Sequence, residues 1–133
     1  MSAMQSLGLL LGRLLLATIF VLSGLNKITN FSNTEAYMAS KELPAVPVLL
    51  VLTIIIELGG GLMIALGLKA RWAALAIFLF IIPVTLVFHP FWAVEPAQMQ
   101  AQMINFLKNL AIMGGMLYVV VCGPGRFSLT RDG

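Results

Sequence analysis

Charge is scarce in this chain: of 133 residues, 10% are Asp, Glu, Lys or Arg and 60% are hydrophobic. Ordinary soluble domains carry roughly a quarter charged residues, so that class is excluded and an integral membrane protein is expected. Cysteine is reduced to Cys122, which excludes an intrachain disulfide, a CxxC redox pair and a cysteine-rich metal centre. Any redox role therefore depends on an external cofactor or partner. Histidine is reduced to His89, with no carboxylate or thiol cluster beside it, so no metal site is expected. Neither a GxGxxG nor a Walker pattern surrounds Gly123-Pro124-Gly125, and no Ser/His/Asp set has the spacing of a nucleophilic triad. Catalytic residues are accordingly left unassigned. The basic residues Lys69, Arg71, Arg126 and Arg131 sit at helix ends rather than in a stripe, so nucleic acid is not an expected partner.

What the chain has in abundance is long apolar sequence. Four stretches, Leu7–Leu25, Val46–Leu68, Trp72–Trp92 and Met103–Cys122, approach or reach the ~20 residues that cross a bilayer as a helix. They predict an all-α fold, a single four-helix transmembrane domain over residues 1–133 with the bilayer as its first partner. The uncharged segment Met1–Ser6 and Arg13 inside the first stretch do not fit a cleaved signal peptide, so that helix is expected in the mature protein. Gly67-Leu68-Lys69-Ala70-Arg71 is too short for anything but an antiparallel hairpin, and Gly123-Pro124-Gly125 ends the fourth helix. Pro83 is expected to kink the third. In the first connection, Thr34–Lys41 fits a short interfacial helix capped by Asn33 and ended by Pro44. Lys69, Arg71, Arg126 and Arg131 on the terminus-bearing face outweigh Lys27 and Lys41 on the other, which predicts cytoplasmic N- and C-termini.

Each span is interrupted by an ionisable side chain: Arg13, Glu57, His89 and Lys108. Such residues cost several kcal/mol in a bilayer unless they face protein or water. At ~1.5 Å per residue from the terminus-bearing end, Arg13 lies near 9 Å, Glu57 near 16 Å, Lys108 near 21 Å, and Asn105 and His89 near 25 Å. Glu57 is thus expected in a buried charge network with Arg13, Lys108 or both. Gln98, Gln102, Asn105 and Asn109 recur at spacings of four, three and four, with Lys108 beside them, and share a helix face. With Lys27 and His89 at the outer end, Lys27, His89, Asn105, Lys108 and Asn109 form the expected ligand pocket. The structural alternative is a charge network that only fixes helix order and register.

Taken in order, Gly12-Arg13, Ser23-Gly24-x-x-Lys27, Tyr37-Met38, Glu57-Leu58-Gly59-Gly60-Gly61, Gly67 before Arg71, His89, Phe106–Leu110 and Gly123-Pro124-Gly125 resemble the DoxX family of small bacterial inner-membrane proteins. The resemblance spans nearly the whole chain. It implies a four-helix bundle in the inner membrane and a redox context: members are associated with quinone-linked oxidation of sulfur compounds, with membrane oxidoreductase complexes in oxidative-stress defence and with quinone-responsive genes. Carried over by residue, it singles out Arg13, Lys27, Glu57, His89, Lys108 and Asn109. The leading expectation is a small subunit that binds a quinone-like or other amphipathic molecule in an outward-facing pocket, at most an accessory to a membrane oxidoreductase. Quinone is the candidate cofactor; an oxidoreductase partner and a homo-oligomer are left open. The alternatives are a non-catalytic assembly or docking module, and a small-solute or proton pathway.

Overall fold

The computed structural model describes residues 2–130. It contains helices and no strands among those residues, ordered α1 (Ala3–Thr29), α2 (Phe31–Ala39), α3 (Val46–Leu66), α4 (Ala70–Phe88) and α5 (Pro96–Cys122). A 3-10 turn, Phe91–Ala93, follows α4. Four of these segments, α1, α3, α4 extended to Ala93, and α5, are long and apolar enough to cross a membrane. Arg131, counted above as a topology marker, lies outside the described residues.

The termini of these helices follow from local chemistry. Ser2 caps α1 in a reciprocal box: its Oγ accepts from the Gln5 amide at 3.1 Å, and Gln5 Oε1 accepts from the Ser2 amide at 2.9 Å. That arrangement satisfies two otherwise orphan donors. The fourth membrane helix begins at Pro96, ahead of the apolar stretch, because proline at the first helical position has no amide to strand and the glutamines that follow are good helix formers. The short helix in the first connection is present, but it begins at Phe31 after Asn30, so Asn33 lies inside it rather than capping it. It ends at Ala39, ahead of Pro44, in a turn in which Glu42 takes φ 60°. α4 runs unbroken through Pro83.

α3 departs from regular α geometry in its middle. Ile55–Gly59 forms a π-helical turn between the α-helical segments Val46–Ile54 and Gly60–Leu66. Single π turns of this kind recur at functional sites, and this one carries Glu57. α3 then stops in a Schellman motif: Gly67 takes φ 70°, its amide donates to Ile64 O, and the Leu68 amide donates to Met63 O at 2.8 Å.

α1 packs along α3, α3 along α4, and α4 along α5, whereas α1 and α5 touch only sparingly. Ala17, Phe20, Ile64, Ala73, Ala74, Ile77, Met116 and Val119 form the apolar core. Large apolar side chains such as Leu15, Leu22, Leu79, Leu107 and Val121 face outward, where lipid is their natural solvent. The tail after α5 folds back on the α3–α4 turn, with the Leu129 amide donating to Leu66 O and the Thr130 amide to Gly67 O.

Candidate functional site

The end of the bundle that holds both termini is closed by Arg13. Its side chain is 1% exposed. Nη1 donates to Ile64 O at 3.0 Å and to Ala65 O at 3.3 Å, while Nη2 donates to Phe127 O. Ile64 and Ala65 lie in the last turn of α3, where carbonyls run out of α-helical partners and the dipole favours a cation, and Ile64 O accepts from Arg13 as well as from the Gly67 amide. Arg13 therefore joins α1, the end of α3 and the tail, and it does not meet Glu57.

Glu57 is instead held by α1. Lys27 Nζ lies 2.8 Å from Glu57 Oε1. The Ser23 hydroxyl donates to the carboxylate at 3.2 and 3.3 Å and accepts from Lys27 Nζ at 2.7 Å. Gly24 permits this closeness, since a Cβ there would lie 2.8 Å from Leu58 Cβ. The expected network of Arg13, Glu57 and Lys108 is thus corrected to Ser23, Lys27 and Glu57. The reason is directional: helical side chains lean toward their helix's N-terminus. On antiparallel α1 and α3, Lys27 and Glu57 lean toward each other, while Arg13 leans away toward the terminus-bearing end.

A cavity of about 350 Å³ opens beside this pair. Four of the five expected pocket residues line it: Lys27, His89, Lys108 and Asn109. Asn105 does not; its Oδ1 sits 3.5 Å from Lys108 Nζ instead. On the wall between α4 and α5, Asn109 Nδ2 donates to Thr85 Oγ1 at 2.9 Å, and the buried Thr85 hydroxyl donates to Ile81 O. His89 Nδ1 meets Gln102 Oε1 at 2.8 Å; because an amide oxygen only accepts, Nδ1 carries the proton. Of the polar stripe on α5, then, Gln102 and Asn109 bond to α4, while Gln98 and Lys108 are exposed.

Sequence reasoning missed the contribution of α2. Thr34, Tyr37 and Met38 line the cavity, Met38 is buried, and the Tyr37 and Phe88 rings lie 5.4 Å apart. Reading α2 as lying flat at the interface left no cue that one of its faces covers a cavity. The only available signal was the spacing of Thr34, Tyr37 and Met38, which fits one side of a helix.

Chemically, the cavity offers an apolar body with polar side chains set into its wall. The Glu57 carboxylate is occupied by Lys27 and Ser23. Lys108, by contrast, stands in mid-helix with one long contact and no carboxylate partner among the described residues. A lysine at the centre of a membrane helix costs about 3 kcal/mol or more, so an oxygen-bearing ligand at Lys108 has a favourable place to go.

A family model for DoxX matches residues 8–90. Inner membrane protein YqjF of Escherichia coli (strain K12) is 34% identical over 131 residues, covering 98% of this chain and 95% of that protein. Inner membrane protein YphA of the same organism is 30% identical over 123 residues, covering 92% of this chain and 88% of that protein. A Surfeit locus protein 4 homolog of Schizosaccharomyces pombe (strain 972 / ATCC 24843) is 33% identical over 69 residues, 50% of this chain and 23% of that protein. No solved structure matches.

Proposed function

The chain belongs to the DoxX family of membrane proteins, and from that premise we propose that it is a small inner-membrane subunit that binds a quinone-like or other amphipathic molecule in the cavity beside Lys27 and Glu57. The observation that carries this reading is the pairing of an apolar chamber of about 350 Å³ with hydrogen-bond donors on its lining, Lys108 above all. Quinone carbonyls accept hydrogen bonds, and Phe80, Phe88 and Ile112 suit the ring and tail. The protein's share is to bind and orient such a molecule; electrons come from a partner. The basic residues Lys69, Arg71 and Arg126 support an orientation with cytoplasmic termini, and the cavity then faces outward.

Titration of the purified protein with a short-chain benzoquinone, followed by the same titration of His89→Ala and Lys108→Met, tests the reading. Saturable binding that weakens in Lys108→Met is expected. Equal binding by all three proteins, or none by any, removes the pocket from the account. A reporter fused after Gly133 tests the orientation, and a periplasmic signal overturns it.

A second reading, a docking or assembly module, draws on one observation: Ser23, Lys27 and Glu57 satisfy one another and hold α1 to α3 without help from a ligand. It expects these residues to matter for stability and Lys108 to matter for nothing but surface charge.

A further inference from the structure

α1 and α5 are antiparallel neighbours that make close contact at one level and part at the next. The contact is Gly115 against Leu16, where an added Cβ would lie 2.9 Å from Leu16 Cδ2. Seven residues toward the cavity-bearing end on each helix, on the same faces, stand Ser23 and Lys108. Both line the cavity, so a chamber occupies the level where the next interhelical contact would fall. Three cavity-lining residues on these helices, Ile19 at 39%, Asn26 and Lys108, are exposed, and Ile19 and Lys108 flank the gap. Ile19 lies well inside α1 and Lys108 near the middle of α5. The gap between them is therefore at the depth of hydrocarbon rather than of bulk water.

We propose that the ligand reaches this cavity sideways from the bilayer, through the gap between α1 and α5, and seats an acceptor oxygen on Lys108 at the level of Ser23. This rests on the cavity reading above and specifies the ligand: a membrane-dissolved amphiphile with a carbonyl or carboxylate head and a single isoprenoid or acyl tail. Lys108 is the group that selects the head. Its ammonium carries three donors, of which one makes a 3.5 Å contact with Asn105. The Lys27 ammonium is already committed to Glu57 and Ser23. The tail lies along the apolar wall of Phe80, Phe88 and Ile112, and its far end trails into lipid past Ile19.

The test uses the full-length protein in lipid nanodiscs and two diazirine-tailed probes, a decyl benzoquinone and a stearate. Timed irradiation is followed by mass spectrometry of the labelled peptides. Label is expected on α1 and α5 near Ile19 and Ile112. In Ile19→Trp, which fills the gap at an exposed position, early labelling is expected to fall roughly tenfold, the factor a modest added barrier produces. Leu22→Trp, exposed on α1 but outside the cavity lining, is expected to label like wild type and controls for bulk. Lys108→Met is expected to lower the final yield with whichever head is the better ligand, and comparison of the two probes identifies that head. Wild-type yield and rate in Ile19→Trp overturn the lateral route while leaving the cavity reading intact. Absence of cavity label in the wild type overturns both.

Discussion

Arg13 and Lys27 lie two heptads apart on one face of α1 and end in unlike surroundings. Arg13, at the terminus-bearing end, finishes on the main-chain carbonyls of Ile64, Ala65 and Phe127. Lys27, at the other end, finishes on the side chains of Glu57 and Ser23 beside an open cavity. Carbonyls at a helix terminus are fixed dipoles that no pH change or rotamer removes, so a cation satisfied by them belongs to the scaffold. Side-chain partners can be exchanged, and a cation held by them can take part in binding. The comparison assigns stability to one end of the bundle and recognition to the other.

The sharpest way to break this comparison is Arg13→Met. It removes charge-assisted bonds from three carbonyls, one of them in the tail, and a loss of about 4 kcal/mol is expected. Thermal unfolding in detergent measures it, and a shift confined to the noise places Arg13 outside the scaffold. Glu57→Ala comes next. It leaves the Lys27 ammonium in a largely buried site without its counter-charge, at about 3 kcal/mol. Adding Lys27→Met should restore much of that stability, while probe binding is weakened in the double variant, which has lost the ammonium that Glu57→Ala alone sets free. Unweakened binding in the double variant contradicts a recognition role for this end.

Gly67→Ala sharpens the contrast from the closed end. Gly67 takes φ 70°, and a Cβ there would lie 2.3 Å from Ser128 Cβ and 2.6 Å from Arg13 Nη1. About 2 kcal/mol of destabilisation is expected from strain and displacement of the tail together, with probe affinity in the folded protein unchanged. The smallest effect belongs to Thr85→Val on the cavity wall. It removes the acceptor of Asn109 Nδ2, and about 1 kcal/mol of stability should go with it. A probe with an acceptor oxygen should gain affinity for the released amide, and an unchanged Kd contradicts that.

Much of this architecture was legible in the sequence. The spans follow from hydrophobic runs, the hairpin from Gly67 and the short connection, and the level of the polar groups from the 1.5 Å rise per residue. Partner choice was not legible, because depth counting assigns each residue the height of its Cα. Lysine and arginine side chains reach several Å along the helix, toward its N-terminus. That reach brings Lys27 down to Glu57, carries Arg13 away from it, and turns Lys108 toward Asn105. The cover supplied by Thr34, Tyr37 and Met38 was hidden for a different reason. A nine-residue amphipathic helix reads the same whether its apolar side rests on lipid or on protein.

The π turn at Ile55–Gly59 bears on how sequences of this kind are to be aligned. A π turn holds one residue more than the α turn it replaces, so deleting any residue between Ile55 and Gly59 would let α3 run as an unbroken α-helix. The five residues of the π turn advance the chain by about the same rotation as four α-helical residues, so the segments before and after the deletion would keep their relative faces. Leu50, fully buried on the first segment, and Ile64, fully buried on the second, would still both face inward. What would change is the turn between them, which carries Glu57. A homologue one residue shorter here can keep the hydrophobic pattern of Val46–Ile54 and Gly60–Leu66 while losing the wide turn from which the carboxylate meets Lys27. An alignment gap at this position therefore marks a change in the chamber, where a gap in the loops would mean little.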